Sequence, residues 1–176
     1  MRNSEGEKRD KPILALDVDG PLALFGTQLD EGTLEVWAGD IPVSISRKLE
    51  GRLRVLARHF QIVWSTSWER SAGNLIAPLV GLPGDLPFIP FDLYPAPSLG
   101  ESRKLPGLKG WLRDVPVAIV DDEIGRDMQR WAAARTQPTL LVEIDPRFGI
   151  QDKHVIQLVA FSLALSDGAN RLGDAP

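Results

Sequence analysis

Two acids one residue apart, Asp17 and Asp19, stand where an apolar run stops: Ile13-Leu14-Ala15-Leu16-Asp17-Val18-Asp19-Gly20. In a strand, residues i and i+2 point to the same side, so the two carboxylates converge where the strand ends. Neighbouring carboxylates repel, and the arrangement is costly unless a cation or a shared proton offsets it. A hard divalent cation with oxygen ligands does this, and magnesium uses one or two carboxylates plus the phosphate oxygens of a substrate. The pair points to metal-assisted phosphate chemistry.

Comparable groups end other apolar runs. Ile62-Val63-Trp64 stops at Ser65-Thr66-Ser67, and Val117-Ala118-Ile119-Val120 stops at Asp121-Asp122-Glu123. Lys104 lies ahead of the latter run, at the mouth of an expected helix. Phosphoryl transfer needs such a set: a nucleophile, a proton donor, a cation and donors for the phosphate oxygens. Singly, each group has an ordinary use. Asp and Gly favour turns, Thr66 suits a helix N-cap, Asp121-Asp122-Glu123 suits the first turn of a helix, and Lys104 suits a solvated surface. The set, rather than any one member, carries the argument.

The elements that must bring these groups together follow from hydrophobic period. Short runs rich in Ile, Val and Leu predict buried strands over residues 13–16, 61–65, 117–120 and 139–144. Residues 87–91 are a fifth candidate, held to a sheet edge by their prolines. Ile45, Leu49, Leu53, Leu56 and Phe60 recur every three or four positions and predict a helix over 44–60, with Pro42, Ser44 and Ser46 at its start. Further helices are predicted over 68–80, ended by Gly81 and Pro83, over 105–113 with Ser102 as a cap, over 125–135, and over 151–165. In the last of these, Val155, Leu158, Val159 and Ser162 face inward. Alternating strands and helices predict an α/β fold, a parallel sheet with helices on both faces. Such sheets bind ligands at the carboxyl ends of their strands, where all the groups above would meet. Residues 20–40 lack a helical period and predict a β-hairpin flap. The proline-rich stretch 83–99, with Phe88, Phe91 and Tyr94, predicts an ordered loop.

Composition narrows the classes. The 176 residues suit one domain, here 11–165, between tails at 1–10 and 166–176. Without cysteine, disulfides, thiolate metal sites and cysteine nucleophiles are excluded. A net charge of −4 gives no electrostatic reason for non-specific nucleic-acid binding. No apolar stretch reaches the ~18 residues of a membrane span, and the charged N-terminus lacks the apolar core of a signal peptide. The expectation is a cytoplasmic protein. His59 and His154 read as a helix-end and a surface residue, Trp64 as core. The cations Arg47, Lys48, Arg52, Arg54 and Arg58 read as a solvated helix face.

With these residues in view, the chain resembles the haloacid dehalogenase-like (HAD) superfamily of phosphatases. The DxD acids, a Thr/Ser after the second strand, a lysine and a paired acid after a later strand occur in that family's order over residues 11–143. The resemblance implies a three-layer Rossmann-like fold and Mg²⁺-dependent hydrolysis of a phosphomonoester through an aspartyl-phosphate. It implies Asp17 as nucleophile, Asp19 as general acid and then base, Thr66 as a donor to phosphate, and Lys104 as the neutralising cation. It further implies a Mg²⁺ site from Asp17, the backbone carbonyl of Asp19, and Asp121 with Asp122. Ser65 is the alternative to Thr66, and Lys109 to Lys104. Ser67 and Trp68 flank the expected substrate, with the indole a platform for a ring. Pro21 departs from the Thr or Val common in the family and removes no catalytic group.

Neither the segment after the first strand nor that after the second has room for a lid domain, which implies an open site. An open site admits a phosphate on a small molecule or on a polymer end, with nucleic acid a partner only as substrate. Two other classes share such residues: a receiver-like signalling module, whose acid pair comes early rather than late, and a catalytically idle binding domain.

Overall fold

The computed structural model describes residues 11–25, 32–91 and 101–173, with side chains described to Gly168. The expected tail 1–10, part of the hairpin segment (26–31), most of the proline-rich loop (92–100, with Tyr94) and the last three residues lie outside the described residues.

Four short apolar strands form a parallel sheet: β1 (Ile13–Leu16), β4 (Gln61–Trp64), β5 (Val117–Asp121) and β6 (Thr139–Glu143). Their order across the sheet is β4-β1-β5-β6. The chain leaves β1 for a neighbour on one side and then crosses to β5 on the other. This reversal opens a crevice at the carboxyl end of β1, the usual ligand position in open α/β sheets.

Both sheet faces are covered, which is why the strands read as continuous apolar runs rather than alternating ones. Leu14, Leu16, Ile62, Trp64, Ala118, Val120 and Val142 face one cluster with Leu49, Leu53 and Leu56 of α1 (Leu49–His59) and Leu158 of α4 (Asp152–Gly173). Ala15, Val63, Val117 and Ile119 face the other cluster, with Leu105 and Leu108 of α2 (Leu105–Trp111) and Met128 of α3 (Arg126–Ala133). Each fully buried leucine contributes about 2 kcal/mol relative to exposure. The result is a three-layer α/β arrangement compatible with a Rossmann-like fold.

Several expectations need correction. The helix expected from Ser44 begins at Leu49, because residues 41–46 form a strand. Strands β2 (Thr33–Ala38) and β3 (Ile41–Ser46) pair antiparallel from Thr33↔Ser46 to Ala38↔Ile41. Ile45 fits a period of 3.6 with Leu49, but it also alternates with Val43, and pairing with Leu34 decides for the strand. The hairpin thus runs past Asp40. Residues 87–91 form no strand, only one parallel bridge, Trp64↔Phe88, beside the edge strand β4. The helix expected over 68–80 is a π turn (Ala72–Ile76) followed by a 3₁₀ turn (Ala77–Val80) that ends at Gly81 with φ 71°. Pro78 cannot donate to a regular helical ladder there. Helix α4 continues to Gly173, so most of the expected C-terminal tail is helical.

His154, expected at the surface, is buried, and its Nδ1 accepts the Gln151 N–H at 3.0 Å at the start of α4. Trp64 is buried as expected, and His59 closes α1.

Candidate functional site

Strand register brings the chemistry together. Leu16 is level with Trp64 on one side and with Val120 on the other. The next residue of each strand, Ser65, Asp17 and Asp121, therefore lies in one row across the carboxyl edge. The row is bonded through the backbone, Asp17 N–H to Val120 O at 3.0 Å and Ser65 N–H to Leu16 O at 2.8 Å. Pleat alternation turns this row to the side of Ala15, Val63 and Ile119, the side covered by α2.

Lys104 immediately precedes α2 and reaches into that row. Its Nζ lies 2.6 Å from Asp17 Oδ2 and 2.6 Å from Asp121 Oδ2. Lys109, a few residues on, pairs with Glu101 at 2.5 Å instead. Ser102 and Asp127 hold the approach to Lys104: Asp127 Oδ2, on the first turn of α3, accepts the Ser102 N–H at 2.6 Å. The Ser102 hydroxyl accepts the Lys104 N–H at 3.4 Å. Nothing local in the sequence joins Ser102 to Asp127.

Asp17, Asp121 and Asp122 each present an oxygen within 4.8 Å of the other two. Asp17 and Asp121 are buried, 3% and 0% exposed. Burial pushes the Asp17 carboxyl up to about 6, with Lys104 opposing the rise and Asp121 adding to it. Burial likewise raises Asp121 against the pull of Lys104, and burial with the Asp17 charge raises Asp122. For Lys104, burial alone favours the neutral amine, but Asp121 and Asp17 outweigh it and hold the ammonium above its ordinary pKa.

Among the described residues, three carboxylates thus gather around one ammonium, that of Lys104. A divalent cation would balance the remaining two charges, and three convergent carboxylate oxygens are a hard-oxygen donor set suited to magnesium. The Ser65 Oγ is buried at the same edge and has no hydrogen-bond partner among the described residues, so it is free to donate. The three acids therefore fit a divalent cation such as Mg²⁺. The Asp19 carboxylate, expected beside Asp17 in the metal site, is not part of the three-acid set.

The turn after β1 is tight. Leu22 N–H and Ala23 N–H both donate to Val18 O, and Gly20 N–H donates to Ala23 O. Gly20 sits at φ 84°, and a Cβ there would lie 2.7 Å from the Asp122 side chain. Glycine is required both for the left-handed turn and for the approach of Asp122.

Asp19 is held from the other side. The Trp68 indole Nε1–H donates to both Asp19 oxygens at 3.1 Å. Sequence reasoning pointed to Trp68 as a stacking platform and missed this bond, for which the sequence offers no signal. Thr66 is fully buried one residue beyond the Ser65 row, and its Oγ1 accepts the Trp68 N–H at 3.4 Å. Ser67 is exposed and lines a groove with Trp68. The cations near α1 lie away from this edge: Arg47, Lys48 and Arg52 line a separate groove between α1 and α4.

No family model matches the sequence, and no characterised protein is significantly similar to it. No helix among the described residues is long and apolar enough to cross a membrane.

Proposed function

We propose that this protein is a Mg²⁺-dependent, HAD-like phosphatase that hydrolyses a phosphomonoester through an aspartyl-phosphate on Asp17. One observation carries the reading: Lys104 Nζ stands 2.6 Å from both Asp17 and Asp121, in a cluster with Asp122 at the crevice beside β1. In-line attack on a phosphate dianion needs a positioned nucleophile and concentrated positive charge, and little else from the protein.

In the first step an Asp17 oxygen attacks phosphorus. The bond to the ester oxygen breaks, and that oxygen takes a proton from Asp19. In the second step water attacks the same phosphorus and gives its proton to Asp19. The phosphorus–Asp17 bond breaks, releasing inorganic phosphate and restoring both acids. Lys104 neutralises charge between Asp17 and the phosphoryl oxygens. A hydroxyl at the end of β4 donates to one of those oxygens; Ser65 lies in the Asp17 row, and Thr66 lies one residue on. Asp17, Asp121, Asp122 and the Asp19 carbonyl would hold Mg²⁺, which when bound supplies Lewis-acid stabilisation of the developing charge. The β2–β3 hairpin serves as the flap of an open, capless site.

Purified protein should release phosphate from 4-nitrophenyl phosphate with Mg²⁺, and Asp17→Asn should abolish release. Activity that survives this substitution, or that persists in excess chelator, overturns the mechanism. A long-lived phosphoprotein with little phosphate release would point to a signalling module instead.

A further inference from the structure

Beside Asp19 lies a groove of about 300 Å³, lined by Ile41, Ser67, Trp68, Ser71 and Leu75. Its volume is at the small end of the ~300–1,000 Å³ usual for small-molecule sites, enough for one ring system. Three parts of the chain build it: the start of β3, the turn that follows Thr66, and the irregular helical segment beyond. The hairpin turn reaches across to that segment, since a Cβ on Gly39 would meet Leu75 at 3.6 Å.

The groove and the catalytic edge share one side chain. The indole Nε1–H of Trp68 faces the Asp19 carboxylate at 3.1 Å, and the same residue lines the groove. Asp19 is the group that protonates the leaving oxygen. Whatever is bonded to that oxygen must then lie next to the indole. No described residue lining the groove is charged. The nearby Arg70 is engaged elsewhere, its guanidinium 5.5 Å from the Phe88 ring centroid. Ile41, half exposed, and Leu75 provide apolar walls, the indole a flat aromatic one, and Ser67 and Ser71 provide hydroxyls.

We propose that this groove is the leaving-group site and that it takes an uncharged, ring-bearing alcohol, making nucleoside monophosphates the substrate class. A nucleoside combines a planar face for the indole with hydroxyls for the serines. A second phosphate or a carboxylate on the leaving group would find no cation among the described lining residues. This inference rests on the phosphatase reading above.

The test compares adenosine 5′-monophosphate with acetyl phosphate, which has the phosphoryl group but no ring. Ile41→Asp places a charge on the exposed wall, and Ser71→Trp fills the groove from its exposed rim. Each should lower the ratio of kcat/KM for adenosine monophosphate over acetyl phosphate about tenfold, the scale of one lost apolar contact. In the wild type, adenosine should shift amide resonances of Ser67, Trp68 and Ser71, and should do so less in Ser71→Trp. Acetyl phosphate turnover with an unchanged ratio in both variants, or no shifts with millimolar adenosine, overturns the groove assignment alone. If wild-type protein neither releases phosphate from 4-nitrophenyl phosphate nor becomes phosphorylated on Asp17, the phosphatase reading fails and the leaving-group role fails with it.

Discussion

Two charged clusters of this molecule are built on opposite principles. At the carboxyl edge of the sheet, Lys104 is shared by Asp17 and Asp121, with Asp122 beside them, and the acids outnumber the cation. Between α1 and α4, Arg52 meets one carboxylate among the described residues. Its Nε lies 2.8 Å from Asp152, and its Nη1 donates to Ile150 O at 2.7 Å. In the first cluster burial raises the carboxyl pKa values. In the second, the Arg52 bond lowers that of the exposed Asp152. One arrangement gathers three acids around one ammonium. The other is satisfied as it stands and fastens two helices. Sites kept short of their best stability are where chemistry is expected.

Removing the cation from each cluster gives the sharpest contrast. Lys104→Met leaves two buried carboxylates without their counter-ion and should destabilise the protein by about 3 kcal/mol or more without metal. It should also cost at least ~10²-fold in turnover, the scale of one lost stabiliser of transition-state charge. Urea unfolding with and without Mg²⁺ measures the first, with Mg²⁺ restoring part of the loss, and initial rates measure the second. An unchanged midpoint would erase the distinction between the clusters.

Neutralising an acid should have the opposite sign. Asp17 has a folded-state pKa raised from 3.8 to about 6, so between those pH values the folded chain binds the proton more tightly than the unfolded one. The contribution favours folding below the unfolded value and is lost as pH rises through about 6. A shift of this size corresponds to about 3 kcal/mol. Metal-free Asp17→Asn should therefore be more stable than metal-free wild type at pH 8, by up to that amount. Because the ion must displace the same proton, the rise in Tm produced by Mg²⁺ should grow between pH 5 and pH 7.5 in wild type and be blunted in Asp17→Asn. A Tm gain independent of pH in wild type would remove Asp17 from the metal site.

At the carboxyl edge of the sheet, Ser65 and Thr66 can be separated. Ser65→Ala removes the hydroxyl that shares the Asp17 row and should lower kcat/KM about 10²-fold, with little change in Tm because that hydroxyl has no partner among the described residues. Thr66→Ala removes the acceptor of the Trp68 N–H and should lower Tm more than Ser65→Ala does. The reverse pattern would make Thr66 the phosphate donor.

The smallest effect belongs to the satisfied cluster. Arg52→Ala should lower the urea midpoint only slightly, since Asp152 is exposed, and should leave phosphate release at the wild-type rate. A large activity loss would tie the α1–α4 groove to the site.

The strands of the sheet were legible because a strand buried on both faces must be apolar throughout, and Ile13–Leu16 and Val117–Val120 cannot hide that. Residues 44–46 read as helix in sequence because Ile45 satisfies two periods at once; its partner Leu34, from a strand eleven positions earlier, breaks the tie. The π and 3₁₀ turns over 72–80 were hidden for a related reason. Their apolar spacing is helical, but Pro78 and the close approach of Gly73 to Gly84 O, 2.4 Å from a notional Cβ, set the backbone.

The sequence by itself determined which groups stand at strand ends: the acids at 17, 19, 121 and 122, the hydroxyls at 65–67, and a lysine ahead of the β5 strand. Strand ends are written locally, as the point where an apolar run stops. Tertiary structure alone decided which of these groups share a row, that Lys104 rather than Lys109 bridges Asp17 and Asp121, that Trp68 holds Asp19, and that a groove opens beside it. Those outcomes depend on register, on pleat parity and on the face each helix covers, which couple residues tens of positions apart.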